Sequence, residues 1–141
     1  MSKIAVVYWS GTGNTEAMAN LVAEGATSAG AETEVIPCSD FSADKAAEYD
    51  AFAFGCPAMG SEVLEEMDFQ PMFDACKNML SGKRVALFGS FGWGDGQWMR
   101  DWESDCSNAG ISLTCESVTC CETPDDTALA ACREMGKALA G

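Results

Sequence analysis

After an apolar run at residues 4–9, the chain places Ser10, Gly11, Thr12, Gly13, Asn14 and Thr15 in a row, dense in donors and free of cations. The preceding run reads as a buried parallel strand. Beyond Glu16, where a helix is expected to begin, Met18, Leu21, Val22, Gly25 and Ala26 recur at helical spacing. A loop between two such elements presents free backbone N–H groups at a helix N-terminus, where the helix dipole favours an anion. The chemistry is phosphate binding, with the side chains of Ser10, Thr12, Asn14 and Thr15 as further donors. The G-x-x-x-x-G-K-[ST] pattern of triphosphate loops and the G-x-G-x-x-G pattern of dinucleotide loops are both missing. Neutral donors suit one terminal phosphomonoester held as a fixed dianion, not a triphosphate turned over with magnesium.

Two other loops stand out. Pro57, Ala58, Met59, Gly60, Ser61 and Glu62 follow the apolar run 51–56, and Ser90, Phe91, Gly92, Trp93, Gly94, Asp95 and Gly96 follow the run 84–89. Glycines around one tryptophan let the backbone bend closely past a flat object while a large aromatic face is offered to it. Met59 supplies a polarizable thioether for the opposite face. A phosphate cradle and a flat slot walled by Met and Trp together describe a pocket for flavin mononucleotide (FMN).

The elements that must position these loops follow from periodicity. Strands are expected at residues 4–9, 32–38, 51–56, 84–89 and 111–118, the last with the Ser and Thr content of a sheet edge. Residues 39–42 read as a loop, 43–49 as a weak helical stretch, and 62–80 as helical turns around Val63, Leu64 and Met67, resuming past Pro71. Trp98, Trp102, Cys106 and Ala109 mark one helix face; Leu129, Cys132, Met135 and Leu139 mark that of a closing helix at 125–140. The alternation of strands and helices predicts an α/β fold, a doubly wound five-stranded parallel sheet of order 2-1-3-4-5 with helices on both faces. Ligands of such sheets bind beyond the carboxyl ends of the strands, at the switch point between strands 1 and 3. The unusual loops leave strands 1, 3 and 4.

Composition narrows the partners. With 141 residues the chain has the length of one domain, expected to span 1–141. No apolar run approaches the length of a membrane span, and a soluble, cytoplasmic protein is expected. There are 22 acidic against 8 basic residues, a formal net charge of -14. Nucleic acid and anionic membranes are therefore poor partners, and a basic docking patch on another protein is a suitable one. The eight cysteines contain no Cys-x-x-Cys, and histidine is absent, so zinc and ferredoxin-type cluster spacings are missing. No metal site is expected. The cysteines read as reduced thiols used as small apolar side chains, with the vicinal pair Cys120 and Cys121 as a redox alternative.

In the stretches Tyr8 to Thr15, Gly55 to Glu62 and Leu87 to Gly96 the chain resembles the flavodoxins, in particular the short-chain type of anaerobic bacteria. The resemblance extends over essentially the whole chain. It implies that Ser10, Thr12, Gly13, Asn14 and Thr15 hold the phosphate while Gly11 shapes the turn. Met59 and Trp93 would flank the isoalloxazine, the backbones of Ser90, Gly92 and Gly94 would line its edges, and Glu62 would accept from the flavin N3–H. The peptide between Gly60 and Ser61 would flip on reduction to accept from the protonated N5. Phe91 stands where the family often has Tyr, and residues 119–123, read as a loop, depart from the family's commoner residues. The implied function is not enzymatic. It is a low-potential one-electron carrier, a monomer whose non-covalent FMN cycles between semiquinone and hydroquinone and serves oxidoreductases that normally use ferredoxin. An FMN-dependent NAD(P)H:quinone reductase of the same fold is the alternative. A phosphoacceptor receiver module, which needs clustered acids after the first strand, finds Trp9 and Ser10 there instead.

Overall fold

Strand β1 (Lys3–Tyr8) pairs in parallel with β2 (Glu32–Pro37) on one side and β3 (Ala51–Gly55) on the other. Beyond β3 lie β4 (Arg84–Phe91) and β5 (Val118–Cys121), again parallel, which gives the sheet order β2-β1-β3-β4-β5. The helices are α1 (Asn14–Ser28), the one-turn α2 (Ala43–Ala46), α3 (Phe69–Cys76), α4 (Gln97–Asn108) and α5 (Asp126–Leu139). This computed structural model describes residues 2–60, 63–92 and 94–141. The expected sheet order and winding are those observed.

Alternation along the strands divides the core in two. Ile4, Val6, Ala51, Ala53, Ala86 and Phe88 face α1 and α5, meeting Met18, Val22, Cys132, Met135 and Leu139. Ala5, Val7, Phe52, Phe54, Val85 and Leu87 face α3 and α4, where Phe69, Phe73, Trp98 and Trp102 supply the bulk. Edge-to-face contacts join Trp102 to Phe69 at 5.5 Å and to Phe73 at 5.6 Å. All eight cysteines are free thiols, and Cys38, Cys56, Cys76, Cys106 and Cys132 are buried. Burial raises these thiols, Cys38 and Cys76 to about 11 and Cys106 and Cys132 to about 12, so they stay protonated at neutral pH.

Several boundaries differ from the sequence expectation, each for a local reason. Helix α1 begins two residues before Glu16 because Gly13, at φ 94°, takes the left-handed position that caps it. The weak helix expected over 43–49 is only Ala43–Ala46, closed by the C-cap Ala47. The helical turns expected over 62–80 condense into α3 followed by a 3-10 turn at Lys77–Met79. Pro71 falls in the first turn of α3, where its missing N–H costs nothing.

The last strand is displaced most. Of the expected strand 111–118, residues 111–117 meet β4 at one bridge, Val85 to Leu113, where Thr114 N–H donates to the Val85 carbonyl at 2.8 Å and Val85 N–H to Thr114 Oγ1 at 3.1 Å. The Thr114 hydroxyl thus substitutes for a backbone carbonyl, and the regular ladder resumes only at Val118, opposite Phe88. Residues 119–121, expected in a loop, are strand, with Val118 and Cys120 half-buried and Thr119 mixed with exposed Cys121 on the outer side. The closing helix has Asp125 as its cap, whose Oδ1 accepts from Ala128 N–H at 2.8 Å.

Glu65 organises the approach to α3. It is only 6% exposed, and its Oε1 accepts from the N–H groups of Asp68 and Phe69, both at 2.8 Å, while Oε2 accepts from Met67 N–H at 2.9 Å. Burial penalises this charge, but the three backbone donors outweigh the penalty and hold the carboxyl below its ordinary value. A carboxyl lowered by folding stabilises above its unfolded pKa and loses that contribution as pH falls through the folded one. Stability should therefore drop below about pH 4.3, the ordinary glutamate value. Glu65→Gln is expected to cost about 2 kcal/mol at neutral pH and to flatten its share of the acid decline, read by urea unfolding at several pH values.

Helices α1 and α5 touch backbone to backbone. A Cβ at Gly136 would lie 2.0 Å from the Val22 carbonyl oxygen, and one at Gly25 would lie 2.0 Å from that of Arg133. Gly136→Ala must push the two helices apart, at an expected cost of about 3 kcal/mol, visible as a lower urea midpoint at an unchanged slope.

Candidate functional site

At the carboxyl edge of the sheet, pairing continues past the strands before the chains part. Trp9 N–H donates to the Gly55 carbonyl at 3.0 Å, Cys56 N–H to that of Phe88 at 3.2 Å, and Ala58 N–H to that of Ser90 at 3.0 Å. Where the chains separate they enclose a cleft of about 310 Å³. Gly11, Thr12 and Asn14 line it from the first loop, Pro57, Ala58 and Met59 from the second, and Ser90, Phe91 and Gly92 from the third. The three loops singled out in the sequence thus meet at one place. Trp9 and Glu122 line the cleft as well and were not anticipated.

The first loop is shaped by its own side chains. Ser10 Oγ accepts from Gly13 N–H at 3.0 Å and Thr12 Oγ1 from Asn14 N–H at 3.5 Å. The first bond of α1 runs from Ala17 N–H to the Gly13 carbonyl at 3.0 Å. The N–H groups at Thr15 and Glu16 therefore have no carbonyl one turn behind them. A Cβ at Gly11 would lie 3.0 Å from the Trp9 ring, a tight contact to which the ring would have to give way. Thr15, 1% exposed, sets its Oγ1 3.4 Å from Ser90 Oγ and ties α1 to the end of β4. No Lys or Arg is among the described residues of the cleft. Hydroxyls, amides and a helix N-terminus without a cation fit a phosphate monoester.

The apolar side of the cleft is held from behind. The Phe91 ring lies 5.5 Å from that of Trp98, whose Nε1–H donates to the Cys56 carbonyl at 3.1 Å. Glu122 N–H donates to the Phe91 carbonyl at 2.7 Å, and Glu122 holds φ at 58°, a left-handed conformation that side chains other than glycine seldom take. Nothing in its residue type announces that position; only the neighbouring Pro124 hints at a turn. Trp9 could have been recognised as the last apolar residue before the phosphate loop. Gly94, at φ 86°, and Gly96, at φ 90° as the cap of α4, bend the third loop without lining the cleft. Gly60 is exposed, with open space where a Cβ would be. The expectations for Ser61, Glu62 and Trp93 lie outside the described residues.

A larger groove, about 820 Å³, runs between β5 and α5. None of the three loops contributes to it, and three acidic residues, Glu116, Asp125 and Glu134, line it.

The family model of flavodoxin matches residues 6–136. The flavodoxin of Clostridium beijerinckii is 45% identical over 135 residues, covering 96% of this chain and 97% of its own. That of Megasphaera elsdenii is 42% identical over 137 residues, covering 97% and 98%. The solution structure of the two-electron reduced Megasphaera elsdenii protein superposes with a TM-score of 0.89 over 97% of this chain and 98% of that one. A flavodoxin from the domain Archaea, 27% identical, gives 0.87 over 98% and 96%. With sheet order, cleft and sequence in agreement, the chain belongs to the flavodoxin family of FMN-binding electron-transfer proteins.

Proposed function

We propose that residues 1–141 act as one FMN-binding domain and a low-potential one-electron carrier, cytoplasmic and monomeric. The observation that carries this reading is the cleft itself: neutral phosphate donors at one end, apolar walls at the other, and no cation between them. In this reading Ser10, Thr12, Gly13, Asn14 and Thr15 hold the phosphate around Gly11. Met59 and Trp93 cover the ring faces, with Phe91 and Trp9 behind, and Glu62 accepts from the ring edge. Backbone groups of Pro57, Ala58, Ser90, Gly92, Gly94 and Gly96 complete the loops. FMN, when bound, supplies two separable one-electron steps; the protein sets their spacing.

Two properties of the chain bear on that spacing. The first is charge. With a net charge of -14, each carboxylate about 10 Å from an anionic flavin opposes it by roughly 1–2 kcal/mol at an effective dielectric of 20, before salt screening. The same charge steers basic docking patches of redox partners, and enzymes that normally use ferredoxin are the class proposed. The second is backbone freedom. At Gly60 a side chain has room, so Gly60→Val acts by stiffening the peptide that follows rather than by collision. A lost hydrogen bond of about 1 kcal/mol corresponds to roughly 40 mV for one electron.

Stepwise anaerobic reduction of the FMN-loaded protein tests the reading. The spectrum should pass through an accumulated half-reduced form before the fully reduced one, and Gly60→Val should narrow the gap between the two potentials by about 40 mV. Bleaching in one two-electron step would overturn the carrier assignment.

A further inference from the structure

Met59 lines the cleft, half-buried beside the exposed Gly60. Its N–H donates to the Val63 carbonyl at 2.9 Å. Two residues on, Glu65 N–H donates to Cys56 Sγ at 3.4 Å, and Cys56 is fully buried beneath the second loop. Besides the bond from Ala58 N–H to the Ser90 carbonyl, these two supports of the loop come from residues 63–65. Those residues are held by Leu64, buried in the core, and by the Glu65 side chain, which reaches forward to the N–H groups of Met67, Asp68 and Phe69 while the Glu65 carbonyl accepts from Gln70 N–H at 2.9 Å.

We propose that Glu65 is a positioning residue for the flavin cleft: its carboxylate anchors residues 63–65 to the start of α3 and so sets where the Met59 wall stands. The proposal rests on the carrier reading above for its effect on potentials, but not for its geometry. The carboxylate is the appropriate group, because three converging N–H donors need an acceptor with two oxygens and a charge to repay burial. A glutamine offers one acceptor oxygen and turns two N–H donors toward amides that also donate. Aspartate keeps the charge but is one methylene short.

Glu66 provides the comparison. It is the next residue, carries the same charge and is exposed. In the full chain loaded with FMN, Glu65→Asp and Glu65→Gln should both lower the accumulation constant of the half-reduced form about tenfold, the scale of one charge-assisted hydrogen bond. Glu66→Gln should shift both reduction steps only as a missing charge does. Exchange of the Met59 amide hydrogen should accelerate about tenfold in Glu65→Asp and remain unchanged in Glu66→Gln. If Glu65→Asp behaves as wild type and Glu65→Gln matches Glu66→Gln, Glu65 acts through charge alone and the proposal is overturned. If the wild-type protein takes both electrons together, the carrier reading fails instead; the positioning role then stands or falls on Met59 exchange in Glu65→Asp.

Discussion

At the carboxyl ends of β3 and β4 the two backbones lie closer than side chains normally permit, and the cleft depends on that approach. The space of a Gly55 side chain is filled by the Phe88 ring, 2.1 Å from where a Cβ would be, and that of Gly89 by the Cys56 carbonyl at 2.3 Å. With these positions empty of side chains, Cys56 can pair with Phe88 and Ala58 with Ser90 past the end of the strand. Trp98 can also reach the Cys56 carbonyl from α4. The second and third loops are thereby launched from a rigid, fully hydrogen-bonded base.

Phosphate recognition without a cation has a corresponding logic. A lysine would bind the anion more strongly but would also place a positive charge in the cleft. That charge would stabilise any negative charge developing on a ring held nearby. In the proposed reading, backbone N–H groups and hydroxyls would hold the phosphate while leaving the net field of an acidic protein in place. On that reading anchoring and electrostatic tuning would be separated, the first falling to the loop after β1 and the second to the protein surface.

What the sequence disclosed followed the range of the interactions involved. The order of strands, the two-sided core and the meeting of three loops rest on periodicity and on glycine-rich punctuation, and these were legible from residues 4–9, 51–56 and 84–96. The position of β5 was not, because the Thr114 hydroxyl, a side chain acting as backbone, diverts a stretch whose composition reads as strand. Glu65 was equally hidden. In a run of acids nothing marks the one that turns inward, and its partners are amides whose orientation appears only when the chain is folded. Glu122 entered the cleft through a backbone angle rather than a side-chain type.

The glycine contact between α1 and α5 bears on when α1 reaches its final packing. Arg133 and Glu24, which bridge the same helix pair at 3.1 Å, are separated by 109 positions in the chain. Until a ribosome has delivered α5, α1 can pack on the sheet, but the flank that meets α5 at Gly25 has no cover. Synthesis adds about 5–20 residues per second, so a nascent chain spends several seconds with its phosphate loop made and α1 covered on one flank only. The helix that carries the loop thus reaches its final packing late, when α5 arrives, although the loop itself is made early.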